Sequence, residues 1–197
     1  MKILNTKTLH SNPYISLASS SVEHNGKAFD YVYAFRGSEL VPYPNKKPDA
    51  VVIVAVTEEE VPRLVLTNEF RVPIGCRELS FPAGLIDQED WKDLNPAMKA
   101  ACRELREETG LTLSVTEASP PNLYSSAGLT NESVTFVFGR ALGETSTKEN
   151  EAVEDIEIKL VTLAELIDLM DNSFQYQFSK TAWPLLWAMK RAGSFLV

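Results

Sequence analysis

The stretch from residue 96 to residue 110, Pro-Ala-Met-Lys-Ala-Ala-Cys-Arg-Glu-Leu-Arg-Glu-Glu-Thr-Gly, constrains this chain more than any other. At 3.6 residues per turn, Met98, Ala101, Cys102 and Leu105 recur at i, i+3, i+4 and i+7, an apolar stripe that faces a core. Lys99, Arg103 and Arg106 take the opposite, solvated side. Glu104, Glu107 and Glu108 share a third arc beside the stripe, with only Ala97 and Ala100 one turn earlier. Asn95 before Pro96 reads as an N-cap followed by proline at the first helical position, and Gly110 stops the run. The spacing therefore predicts a helix over 96–109. Three carboxylates within one turn repel each other. They are either a solvated acidic face, with Arg103 and Glu107 an ordinary i, i+4 pair, or a set of hard oxygen ligands. Oxygen ligands with room left for water and phosphate suit Mg²⁺.

The rest of the chain reads as strands around this helix. Ala50 to Val56 is a continuous apolar run, as a strand buried on both faces requires, and Arg63 to Phe70 follows as its partner. Tyr14 to Val22 and Lys27 to Phe35 are strands joined by Asn25-Gly26, a strong hairpin turn signal. Residues 41–48 hold three prolines and divide an N-terminal β extension, 1–47, from a main domain, 48–197. Further strands are expected at Leu111 to Val115, Ser133 to Gly139 and Ile156 to Val161. Thr162-Leu163-Ala164-Glu165 is a capping box opening a helix to about Met170. A last helix, roughly 180–191, carries Trp183, Leu186 and Met189 on one side. Strands mixed with three helices give an α/β (α+β) fold with a mixed sheet between helices.

Charge narrows the partners. The 19 Lys plus Arg against 27 Asp plus Glu give a net charge of −8. Such a surface repels phosphate backbones, so nucleic acid is not an expected partner, and an anionic substrate needs a bridging cation. Cys76 and Cys102 form no C-x-x-C pair and read as free thiols of a reducing cytosol. The longest apolar run has seven residues, far short of a membrane span, and the first residues show no signal-peptide pattern. A cytoplasmic protein without membrane contact is expected.

Arg103-Glu104-Leu105-Arg106-Glu107-Glu108-Thr109-Gly110-Leu111 matches the C-terminal half of the Nudix box, R-E-U-x-E-E-x-G-U, where U is a bulky aliphatic. Upstream, Phe81-Pro82-Ala83-Gly84-Leu85-Ile86-Asp87 resembles the entry to that box in the ADP-ribose and ADP-sugar pyrophosphatase branch. The resemblance implies the Nudix α/β/α sandwich. It departs from the pattern in one place: Gly84 and Arg103 lie 19 positions apart instead of 14. The box Glu that usually orients the Arg then falls on Asn95 counted backward or on Asp90 counted forward, with Glu89 and Asp93 as further choices. Outside the box, Asn68-Glu69-Phe70-Arg71-Val72-Pro73 resembles the branch's Q-F/Y-R-P-P, and Ser125 to Asn131 resembles its P-G-L-S-N loop with Ala127 in place of the proline. Ser80 stands where a Glu often precedes F-P-A-G, and Glu78 lies two positions earlier on the same strand face.

Carried over residue by residue, the resemblance implies a mechanism. Glu104 and Glu108, with the carbonyl of Ala83, hold one Mg²⁺ (or Mn²⁺), and Glu107 helps hold a second. Arg71 reaches the diphosphate, for which a guanidinium fork is well shaped. Glu78 and Arg36 assist binding, and Tyr31, with Phe29 beside it, stacks on the adenine. Glu154 is the base, with Glu151 second. The N-terminal part pairs with a second subunit in a homodimer. The implied reaction converts ADP-ribose to AMP and ribose 5-phosphate. Alternatives are another nucleoside diphosphate sugar, a nucleoside triphosphate, or a non-catalytic nucleotide-binding module, the last disfavoured because all three box glutamates are present.

Overall fold

A computed structural model describes residues 1–42, 44–148, 155–195 and 197. Its contacts divide into two compact units, residues 1–49 with 121–134 and residues 50–120 with 135–197.

In the first unit, β1 (Lys2–Ser11), β2 (Ile15–His24) and β3 (Lys27–Arg36) form an antiparallel sheet in that order. β2 and β3 pair in unbroken register from Ile15 against Arg36 to His24 against Lys27. Asn25 and Gly26 both take positive φ, 51° and 74°, the backbone of a primed turn whose twist matches the strands it joins. β1 is a strand that the sequence pattern does not announce. Its ten residues are exposed throughout, so pairing with β2 rather than burial defines it.

The remaining elements are β4 (Ala50–Thr57), β5 (Leu64–Arg71), β6 (Cys76–Ser80), β7 (Ala83–Leu85), α1 (Pro96–Thr109), β8 (Thr112–Ala118), β9 (Leu123–Tyr124), β10 (Ser133–Leu142), β11 (Ile156–Val161), α2 (Leu163–Asp171) and α3 (Ala182–Ala192). The mixed main sheet runs β11-β5-β4-β10-β8, with β6 on β5 and β7 on β4. The short β9 pairs with Ser133 and Val134. β4 is buried on both faces, as its unbroken apolar run requires. Val51, Ile53 and Ala55 join Val65, Val137, Leu113 and the α1 residues Ala100, Ala101 and Leu105 in one core cluster. Val52, Val54 and Val56 alternate to the other face and are equally buried. α2 and α3 pack together and lie against β11 and β6, which completes the α/β/α sandwich. The Thr162 capping box forms as expected: its hydroxyl accepts from the Glu165 amide and the Glu165 carboxylate accepts from the Thr162 amide.

Candidate active site

The buried face of α1 is rotated from the expected stripe toward the carboxylates. Ala100, Ala101, Glu104, Leu105, Glu108 and Thr109 are buried, whereas Met98 and Cys102 are only half-buried. The cause is β7, which packs on α1 at a residue without a side chain. A Cβ on Gly84 would stand 1.9 Å from Cδ of Glu104 and 2.2 Å from each of its oxygens. The Glu104 carboxylate thus occupies the space that any other residue at position 84 would fill. Ala83, the neighbour whose carbonyl the resemblance singles out, pairs with Val52.

Arg103 corrects the helical-wheel reading, which put it on the solvated side. Its side chain is mostly buried and folds back along the helix. Nη2 donates to the Leu85 carbonyl and to Asp90 Oδ2, both at 2.9 Å. Nη1 donates to Glu104 Oε1 at 2.8 Å and Glu107 Oε2 at 2.9 Å. A long stem and a five-donor fork let one arginine reach four acceptors that a wheel places elsewhere. Burial works against the guanidinium charge, but the bond to Asp90 and the charges of Glu104 and Glu107 outweigh it and raise the Arg103 pKa. Asp90 also accepts from the Asp87 amide at 3.0 Å and is 1% exposed. Of the acids that could meet the arginine, Asp90 does, which settles the counting from Gly84. The extra residues therefore fall between Asp90 and α1. Trp91 packs them onto the core, and Leu94 is exposed. Asn95 sits at the N-cap position but makes no side-chain cap bond.

A second group lies on the β5–β6 pair. Arg71 ends β5, and its Nη1 donates to Glu69 Oε1 at 2.6 Å, with Nε 3.6 Å from Glu78 Oε2. On the opposite face Arg77 donates to Asp155 Oδ1 at 2.6 Å and to the Asn68 carbonyl at 2.8 Å. Glu154 and Glu151 lie outside the described residues. Glu69 and Arg77 are charged groups that sequence reasoning left without a role, whereas Asp90 was one of the candidates for the box position. Alternation along β6 separates Arg77 from Glu78, which shares a face with Ser80 as expected.

The first unit gathers the other expected residues. Tyr31 Oη donates to the Gly128 carbonyl at 2.6 Å, and the Ala34 amide donates to the Leu129 carbonyl at 2.9 Å. Arg36 Nε donates to Glu132 Oε1 at 2.7 Å. The 125–131 loop is thereby fastened to β3. Tyr31, Tyr33, Tyr124, Ala127, Thr130 and Asn131 line a cavity of about 270 Å³. Phe29 is half-exposed and pairs with Val22 farther along β3, outside that lining.

The NUDIX domain model matches residues 46–182, more than two thirds of the chain. The chain belongs to the Nudix family. Its relatives include an uncharacterised Nudix hydrolase of Schizosaccharomyces pombe, 33% identical over 128 residues, which covers 59% of this chain and 58% of that protein. A putative Nudix hydrolase of Caenorhabditis elegans is 32% identical over 139 residues, 65% of this chain and 60% of its own length. An ADP-sugar pyrophosphatase of Mus musculus is 36% identical over 84 residues, 42% of this chain and 36% of its own. The chain thus spans about three fifths or less of these relatives. Among solved structures, that of an ADP compounds hydrolase shares the fold, with a TM-score of 0.63 and 24% identity over 86% of this chain and 82% of that one.

The donor chemistry of the Nudix helix fits a hard divalent cation. Glu104 and Glu108 are buried acceptors one turn apart, and the bare backbone of Gly84 leaves the Glu104 carboxylate its place. Among the described residues no three acidic, histidine or cysteine side chains yet converge as ligands. Arg103 Nη1 stands between Glu104 and Glu107 and balances their charge. No helix among the described residues is long and apolar enough to cross a membrane.

Proposed function

We propose that this Nudix chain is a Mg²⁺-dependent pyrophosphohydrolase of nucleotide sugars, with ADP-ribose split into AMP and ribose 5-phosphate. The observation that carries the reading is the pair of buried carboxylates, Glu104 and Glu108, on one face of α1 with Glu104 seated against Gly84. Carboxylate oxygens gathered on one helix face are the hard donors that a divalent cation takes, and Arg103 already holds Glu104 in place.

Glu104, Glu108 and the Ala83 carbonyl would hold one cation, and Glu107 would help hold a second; Mn²⁺ has the same preference for oxygen donors. When bound, the cation neutralises the diphosphate and makes the attacking water more acidic. Asp90 anchors Arg103 from behind the helix, so the guanidinium keeps Glu107 and Glu104 aligned. Arg71 binds the diphosphate through the edge of its fork that Glu69 does not take, with Glu78 beside it. Glu154 accepts the proton of the attacking water, with Glu151 as the rival. Tyr31 stacks on the adenine, with Phe29 and Arg36 flanking it on β3. The working form is a homodimer, and the free thiols Cys76 and Cys102 suit a reducing cytoplasm.

The reading is tested by a Mg²⁺ assay against a panel of ADP-, UDP- and GDP-sugars, dinucleoside polyphosphates and nucleoside triphosphates, with products separated. ADP-ribose is expected to give the highest kcat/KM. A triphosphate turned over faster than every nucleotide sugar would overturn the substrate class, and no turnover of any compound would overturn the activity.

A further inference from the structure

Tyr31 and Tyr33 stand two residues apart on β3, where alternation puts them on one face. With Tyr124 of β9 and Asn131 they line the cavity of about 270 Å³ in the first unit. The Tyr31 hydroxyl donates to the Gly128 carbonyl, and that of Tyr33 pairs with Ser20 Oγ at 3.1 Å, so both rings are fixed at their polar ends. Their aromatic surface is not used up: Tyr31 and Tyr124 are 43% and 44% exposed. Among the described residues no charged side chain lines the cavity. Flat neutral rings stack on such a surface, whereas a phosphate finds no countercharge there. The volume lies just under the roughly 300–1,000 Å³ usual for whole ligands, so it suits one ring rather than a complete nucleotide sugar.

Asn131 adds the polar element. Its Oδ1 is buried and has no hydrogen-bond partner. Buried polar atoms are nearly always paired, so an orphan is stabilised by whatever brings it a donor. Nothing among the described residues holds that oxygen, and a small side-chain shift carries it onto the edge of a ligand. We propose that Asn131 selects the base of the substrate: its carbonyl oxygen accepts from an exocyclic amino group on a base held among Tyr31, Tyr33 and Tyr124. The proposal rests on the reading of Tyr31 as the base contact. An amino group, as on adenine, is a donor and meets Oδ1 correctly. A carbonyl in the same place is an acceptor and sets lone pair against lone pair. A site built to bond one group rejects the analogue without it, because its own buried atom is left unpaired.

The test compares ADP-ribose with inosine diphosphate ribose, in which hypoxanthine puts a carbonyl where adenine has its amino group. Wild type, Asn131→Leu and Asn131→Asp are assayed at saturating Mg²⁺. Wild type should prefer ADP-ribose in kcat/KM by about tenfold or more, through KM rather than kcat. Asn131→Leu keeps the size, removes the acceptor and should bring the preference to within about twofold. Asn131→Asp keeps the acceptor and should keep the preference. If Asn131→Leu slows both substrates alike and leaves the preference in place, the inference is overturned and the proposed function stands. Calorimetry of wild type with AMP and with IMP decides the matter even if no variant folds: tighter AMP supports the inference, and equal affinity or binding of neither overturns it. A wild type that prefers AMP yet cleaves no nucleotide sugar overturns the proposed function and leaves base selection standing.

Discussion

Gly84 has the least freedom to change of any residue in the site. Any side chain there would strike the Glu104 carboxylate, as the 1.9 Å approach of a Cβ shows. Gly84→Ala is expected to lower turnover by about a hundredfold, since displacing a catalytic group by an ångström costs that much. Steady-state kinetics beside a melting curve would check it; near-normal turnover would mean that Glu104 need not sit where it does. Asp90 makes a different prediction, about stability. Removing it takes one of two buried partners from the mostly buried Arg103, with Glu104 the other, so Asp90→Ala should cost about 2–3 kcal/mol in urea unfolding, less than for a fully buried pair. Asp90→Asn keeps an acceptor and should cost less. The box glutamates were legible in the sequence because their spacing fixes one helical arc. The partner of Arg103 was not, because two ways of counting through an enlarged loop were open. Nor does a helical wheel report the reach of a flexible side chain.

Elements were legible where their pattern was long and regular. α1 and β11 fall at the residues their periodicity predicts, and Thr162 caps α2 as its sequence spells out. β1 and β7 were not legible, and of β6 only the shared strand face of Glu78 and Ser80 was. β1 has no buried face, β6 mixes charged and apolar residues, and β7 is three residues long, so pairing rather than pattern defines each. Thr162→Ala should destabilise the protein by about 1 kcal/mol, read as a lower urea midpoint. The Glu165 carboxylate, bonded by the Thr162 amide and then by its hydroxyl, is held below its ordinary value of 4.5. A depressed carboxylate contributes stability above its unfolded pKa and loses it as pH falls through the folded one. The gap between wild type and Thr162→Ala should therefore narrow in acid below about pH 4.5. In the proposed mechanism the proton acceptor comes from the acidic segment before β11. Glu154→Gln should leave substrate affinity within a few-fold and cut turnover on the order of a hundredfold, a loss that shrinks as pH rises. If Glu151→Gln is the crippling change and Glu154→Gln is nearly silent, the base lies three residues earlier.

At the scale of the whole molecule, the N-terminal sheet leaves Ile3, Leu4, Leu9, Ile15 and Val32 exposed. Apolar residues in that number on one small sheet are suited to a partner surface, so a two-fold homodimer is expected. Sedimentation at roughly tens of micromolar should show a dimer, and a monomer there would contradict the expected pairing. The net charge of −8 makes the whole surface unfavourable for a diphosphate, so binding should depend on the divalent cation as well as on Arg71. In the proposed function these parts serve one event, attack of water on a diphosphate phosphorus. Turnover of ADP-ribose in ¹⁸O-labelled water with Mg²⁺, followed by mass analysis of the products, observes that event directly. The predicted result is AMP and ribose 5-phosphate, with one label on the phosphate of one product and none without the metal. Release of ADP and free ribose, or products that form equally well in Glu108→Gln, would contradict it.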